Sequence, residues 1–156
     1  MKKSYWYTAM AIILVLLVLI NSYVYQQHYQ KTHFYCHGNV TVSDSNYTLN
    51  ARLVLNFSDK VGQALVEGKL IGRAGSSYSV HRTSSFDVKQ DSGNVYLTAT
   101  SVIELPGNTA DTSMLKGLIL PNLLTNNNSI HLNLYRITSK NYLFTNDKYM
   151  LLYCEK

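Results

Sequence analysis

The sequence predicts a mostly β domain, an antiparallel small barrel or strongly curved sheet of seven or eight strands, carried behind a single N-terminal transmembrane helix. Three observations predict it. Twelve consecutive apolar residues, Ala9 to Ile20, contain no charge. Beyond them the apolar residues fall at every second position, the period of a half-buried strand. Turn-forming residues then recur at intervals of roughly 10–15 residues with one helical interruption, the spacing of an antiparallel meander.

Tyr5 to Tyr25 reads as the anchor, with residues 1–4 as a cytoplasmic tail. At about 1.5 Å per residue this stretch reaches roughly 31 Å, enough to cross the hydrocarbon core of a bilayer. Trp6 and Tyr7 on one side, and Tyr23 and Tyr25 on the other, form the aromatic belts that suit the two membrane interfaces. Lys2 and Lys3 precede the segment and the next basic residue is Lys31. The positive-inside rule therefore puts the N-terminus in the cytoplasm and everything from about Gln26 onward across the membrane. A cleavable signal peptide is the competing reading, but Asn21-Ser22-Tyr23-Val24-Tyr25 offers no small-x-small cleavage site. With only four residues inside, whatever the outer domain senses is expected to reach the cell interior through another membrane protein.

Residues 26–33 are polar and lack Gly and Pro, so they form a short stalk or continue the helix. The β domain spans 34–156, enough for one domain and too few for two. Strands are expected at about 34–43, 52–57, 61–71, 77–88, 95–103, 130–134, 142–145 and 149–155. Leu53, Leu55 and Phe57 share one face, as do Val95, Leu97, Ala99 and Ile103, and as do Ile130, Leu132 and Leu134. Asp44-Ser45-Asn46, Ser58-Asp59-Lys60, Gly72 to Ser76, Asp91 to Asn94 and Thr145-Asn146-Asp147 supply the turns. Between Leu105 and Asn128, Pro106-Gly107 suits a turn. Asp111 or Thr112 then caps a short helix near 111–120, which Pro121 ends. A flat sheet of this length would leave two edges to manage, so closure or a covering partner is expected.

Charge excludes one function class. The whole chain has a net charge of +5, of which Lys2 and Lys3 supply two, and no basic cluster follows them, so nucleic acid is not an expected partner. Signatures of nucleotide-binding, zinc-protease and serine-hydrolase chemistry are missing, so the chain is expected not to be an enzyme and to need no cofactor. His33, Cys36 and His37 stand close enough in sequence to suggest a soft metal, but Cys36 has a better use. Cys36 and Cys154 sit at opposite ends of the β domain, and in an oxidising compartment one intramolecular bridge is the expected pairing. Buried free thiols and pairing with a second chain are the alternatives. Thirteen tyrosines is an unusual number. Tyr96, Tyr135 and Tyr153 fall opposite the aliphatic face and are candidates for a ligand or partner face, against the plainer reading that tyrosine favours strands.

Phe34-Tyr35-Cys36-His37-Gly38 after an N-terminal span, then Leu53-Val54-Leu55-Asn56-Phe57 leading to Gly62 and Gly68, His81-Arg82-Thr83 followed by Phe86, and a closing Tyr153-Cys154 resemble the FidL-like family of enterobacterial inner-membrane proteins. The resemblance covers nearly the whole chain and implies a bacterial inner-membrane location with a periplasmic C-terminal domain. It also implies association with a membrane-bound transcription regulator of the ToxR/CadC type, and no activity. In layout the chain is similar to ToxS-type accessory proteins, which implies a lipocalin-like barrel that supports a regulator and binds a lipid or bile-salt-like amphiphile. Two functions follow as expectations: a non-enzymatic accessory partner of such a regulator, or a sensor holding an amphiphile in its barrel.

Overall fold

The structure is a computed structural model and describes residues 2–91, 94–138, 141–146 and 149–155. The chain divides into two compact units, Met1–His33 and Phe34–Lys156. The first is one helix, α1 (Lys2–Thr32), so the polar residues after the apolar run continue the helix. Within it Tyr5–Gln26 is long and apolar enough to span a membrane. Its apolar side chains, Met10 to Ile20, are exposed all round, so the helix has no single apolar face for a core. Two polar side chains inside the span satisfy themselves on the preceding turn. Thr8 Oγ1 donates to the Tyr5 carbonyl and Asn21 Nδ2 to the Leu17 carbonyl, each at 2.9 Å. Trp6, Tyr7, Tyr23 and Tyr25 are exposed at the two ends of the run.

The second unit is an eight-stranded antiparallel meander closed on itself. Its strands are β1 (His33–Ser43), β2 (Tyr47–Ser58), β3 (Val61–Gly72), β4 (Ser77–Asp91), β5 (Asn94–Glu104), β6 (Ser129–Arg136), β7 (Asn141–Asn146) and β8 (Tyr149–Glu155). Each pairs with its neighbour in sequence, and β8 returns to β1 with Glu155 opposite His37. Gly38 makes that seam close. A Cβ there would lie 2.7 Å from both Leu152 Cδ1 and the Tyr153 carbonyl oxygen. Cys36 and Cys154 form the disulfide across the same seam, with Cα atoms 5.3 Å apart and 118 residues between them in sequence. Cys36 is thereby unavailable to a metal. Among the described residues no three His, Cys, Asp or Glu side chains gather into a metal-binding group.

Alternation along the strands sends Leu49, Ala51, Leu55 and Phe57 of β2 inward, and Ala64, Val66 and Leu70 of β3. One expected position fails. Phe86 pairs with Ala99 and Ser85 with Ser101, so Thr100 is an extra residue on β5. This bulge reverses the alternation beyond it. Ile103 consequently faces outward, 54% exposed, while Val102 packs against the core. The β1–β2 turn is set by Asp44, whose carboxylate accepts the N–H groups of Asn46 and Tyr47 at 2.7 Å each. Those bonds hold its carboxyl below the ordinary carboxylate range, so what they contribute is present above about pH 4 and lost as pH falls through the lowered value.

Between β5 and β6 the chain crosses the barrel end. Asp111 caps the helix as expected, its Oδ1 accepting the Ser113 N–H, but the helix α2 is only Thr112–Leu115. Gly117, at φ +91°, turns the chain away. Pro121 does not end a helix; it opens a 3-10 turn, Pro121–Leu123, where its missing N–H is no loss.

The disulfide ties the two strands that close the barrel, and in the chain-entropy account a loop this long gains up to about 4–5 kcal/mol. Reduction, or Cys36→Ser, is expected to lower the barrel's melting temperature and to leave membrane insertion unchanged. Superimposable melting curves with and without reductant would contradict this.

Candidate ligand cavity

At the end away from the crossover Phe57 stacks on Phe144 with ring centroids 6.0 Å apart, and Val88, Val95, Tyr142 and the disulfide are buried. Toward the crossover a cavity of about 470 Å³ remains. Every strand lines it; Val40 and Val42 of β1, Ala51 and Leu53 of β2, and Val66 of β3 give its side wall, together with Phe86 and Phe144. Gly117 to Leu123 of the crossover close it from the other end.

The crossover is pinned where it leaves and where it returns. Thr109 Oγ1 accepts the Ser79 N–H at 2.8 Å, and the Thr109 and Ala110 N–H groups donate to the Ser79 carbonyl. At the far end the Asn127 N–H donates to the Ala99 carbonyl and the Ala99 N–H to the Asn128 carbonyl. Between these anchors Leu115, Leu118, Leu123 and Leu124 are buried. The apolar run Leu118-Ile119-Leu120-Pro121 is thus a lining, held by backbone bonds at its flanks.

Two of the buried polar side chains, Arg82 and Asn122, differ in how far they are answered, since Arg82 is paired through Nη2 alone and its Nε and Nη1 have no partner among the described residues. Arg82 takes an inward position on β4 and is 1% exposed. Its Nη2 donates to the Glu104 carboxylate and, at 2.5 Å, to Thr112 Oγ1. Glu104 also accepts from Asn108 Nδ2, so this cluster locks the start of the crossover against β4 and β5. Arg82 is not part of the cavity wall. Asn122 is. It is 1% exposed, lines the cavity among aliphatic neighbours, and neither its Oδ1 nor its Nδ2 has a hydrogen-bond partner among the described residues.

The expected tyrosines lie elsewhere. Tyr96, Tyr135 and Tyr153 all face outward, between 43% and 56% exposed, and none lines the cavity, so they are not its ligand contacts. Their strands point their inward faces, Leu97, Leu132 and Leu152, at the cavity instead. Tyr135 pairs with Leu143 and Leu143 with Tyr153, so these three form one cross-strand row on the outer surface. Tyr96 stacks on His131 at 4.9 Å, four positions along β6 from Tyr135 and so roughly 13 Å away. Asn122 and Arg82 were not among the expected site residues. The signal for Asn122 was a proline-containing apolar run in a connection, since such a run must be buried and the barrel mouth is where a crossover can bury it.

A scan against models of protein families finds none that matches the chain. A search of curated proteins likewise finds no match.

Arg82 is buried and Glu104 is half in water, side chains 2% and 52% exposed, so removing each has unequal consequences. Glu104→Ala strands a buried cation and is expected to cost about 3 kcal/mol. Arg82→Met leaves a solvated carboxylate and fills the same space, so it is expected to cost under about 1 kcal/mol. Chemical denaturation of the two variants measures the difference.

Proposed function

We propose that this chain is a non-enzymatic, membrane-anchored binding protein whose barrel takes up a lipid or similar amphiphile. The observation that carries the reading is the apolar cavity of about 470 Å³, inside the usual range of small-molecule sites. Its walls are almost wholly apolar, so water in it finds few hydrogen-bond partners, and an apolar occupant removes that surface from water.

The proposed setting is the periplasmic side of a bacterial inner membrane. Lys2 and Lys3 before the span, with no further basic residue until Lys31, support that orientation, and the Cys36–Cys154 bridge fits an oxidising compartment. The resemblance to FidL-like proteins points the same way. A second role, as the accessory partner of a membrane-bound ToxR/CadC-like regulator, is favoured by the row Tyr135–Leu143–Tyr153, in which two exposed tyrosines flank a half-buried leucine on the outer wall, an aromatic and aliphatic strip suited to a protein interface. Because the meander closes on itself, such a partner would meet side chains of the barrel wall and not add a strand to an open edge.

Methyl NMR of the full chain in lipid nanodiscs tests the binding reading. Ile119 lines the cavity and Ile103 lies on the outer wall, so the pair reports site and background together. Added 1-decanol is expected to shift Ile119 and leave Ile103 in place. Ala51→Phe, which puts a ring into the cavity, is expected to abolish the shift at little cost in stability, since it occupies space instead of displacing packed atoms. An Ile119 resonance unmoved by decanol and by decanoate alike overturns the reading.

A further inference from the structure

We infer that the cavity selects a neutral amphiphile with one hydrogen-bonding group, an alcohol, ester or amide, and that Asn122 is the residue that reads it. This rests on the binding role proposed above and specifies its ligand. Asn122 is the one polar residue among the described residues that line the cavity, and its carboxamide is buried with neither Oδ1 nor Nδ2 partnered among them, so an occupant meets it when the side chain rotates into the cavity. Leaving such a group unmade is unfavourable, and a folded protein tolerates it chiefly where something else completes it. The position is set by the backbone. Asn122 is the middle residue of the Pro121–Leu123 turn, and the turn packs against β4, β5 and β6. The Leu123 N–H bonds the Leu120 carbonyl at 2.9 Å and the Leu124 N–H the Pro121 carbonyl at 3.1 Å, so the turn's own backbone groups are satisfied without the side chain.

A carboxamide offers one oxygen acceptor and an NH₂ donor, and carries no charge. It therefore completes a hydroxyl, which donates and accepts, or a carbonyl, which accepts. It does not neutralise an ion. An ionised carboxylate or sulfonate drawn into this aliphatic cavity would lose its hydration and meet no cation. Arg82, the buried cation on the neighbouring strand face, lies outside the wall and already faces Glu104. The remaining wall is aliphatic and aromatic and accepts an alkyl chain without demanding a particular one. An anionic bile-salt-like molecule thus fits the cavity less well than a neutral lipid.

The test uses the full chain in nanodiscs, with the Ile119 methyl as reporter and Ile103 as control, and titrates 1-decanol, decane and decanoate at about pH 9, where the acid is ionised. Affinities are compared after correction for partition into the bilayer. Decanol is expected to bind about tenfold or more tightly than decanoate, whose charge loses its hydration, and about tenfold more tightly than decane, the ratio one hydrogen bond to a buried unpaired group supplies. Asn122→Leu keeps the shape, and is expected to weaken decanol about tenfold while leaving decane unchanged or tighter. The same variant without ligand is expected to melt higher than the natural chain, because an unsatisfied buried amide has gone. Decanoate binding as tightly as decanol, an Asn122→Leu variant that keeps the natural preference, or a lower melting point of that variant each overturns the assignment to Asn122. Loss of response to all three probes overturns the binding role itself, so the two failures are distinct.

Discussion

The β unit depends on one constraint, the pairing of β8 back onto β1. Without it the meander is an open sheet of eight strands with two bare edges and an apolar face turned to water. With it, every strand has two neighbours and the apolar face becomes an interior. Closure needs close approach at the seam, which Gly38 permits, and it is held covalently by Cys36 and Cys154. It also fixes the size of what is enclosed. Eight strands give an interior that side chains can just fill or that can hold one small ligand, and the choice between these is made by side-chain volume. Here Phe57 stacks on Phe144 away from the crossover, and the cavity toward it is lined by Ala51, Val40, Val42 and Val66 among larger Leu and Phe side chains.

The crossover follows from the same geometry. A barrel with a cavity toward one end is open at its mouth, and the connection from β5 to β6 is the longest in the chain because it has to cover that mouth. A long irregular segment over an apolar cavity has two conflicting needs. Its backbone polar groups need partners, and its side chains must be apolar where they face inward. The segment separates the two needs along its length. Its flanks bond to Ser79, His81 and Ala99, and its centre supplies Leu118 to Leu123 to the wall. The Arg82–Glu104–Thr112 cluster serves the first need at the point where β5 ends.

Strand positions were legible in the sequence because a barrel writes its alternation on every strand, and turn residues mark each reversal. The exceptions have local causes. Ile103 was expected inward from simple alternation, and a single extra residue, Thr100, turned it out. A bulge has no composition of its own, so period counting runs straight through it. The helix near 111–120 had the right cap but stopped at Leu115, because Gly117 rather than Pro121 breaks it. The disulfide was legible from compartment and count. The cavity was not, since it depends on the sum of inward volumes around a closed circumference, which no window of sequence contains. The tyrosines were legible as the face opposite the aliphatic one: Tyr96, Tyr135 and Tyr153 lie on the outside of the wall, which leaves them to a partner face and not to the cavity.

Arg82 and Asn122 show how the molecule treats buried polarity in two ways. Arg82 has its charge answered by Glu104 through Nη2, which fixes the start of the crossover, although its Nε and Nη1 have no partner among the described residues. Asn122 has neither amide atom answered among the described residues, and on the binding role proposed above an occupant completes it. Occupancy then becomes part of stability, because a ligand that binds only the folded barrel adds about 2.7 kcal/mol at a hundred times its dissociation constant. On the membrane-anchored binding role proposed above, the chain meets apolar molecules at the high local concentration a bilayer maintains, so modest affinity suffices to keep the barrel filled. On that reading the folded state of the β unit is coupled to the supply of amphiphile, and a partner that recognises the folded wall would read that supply without touching the cavity.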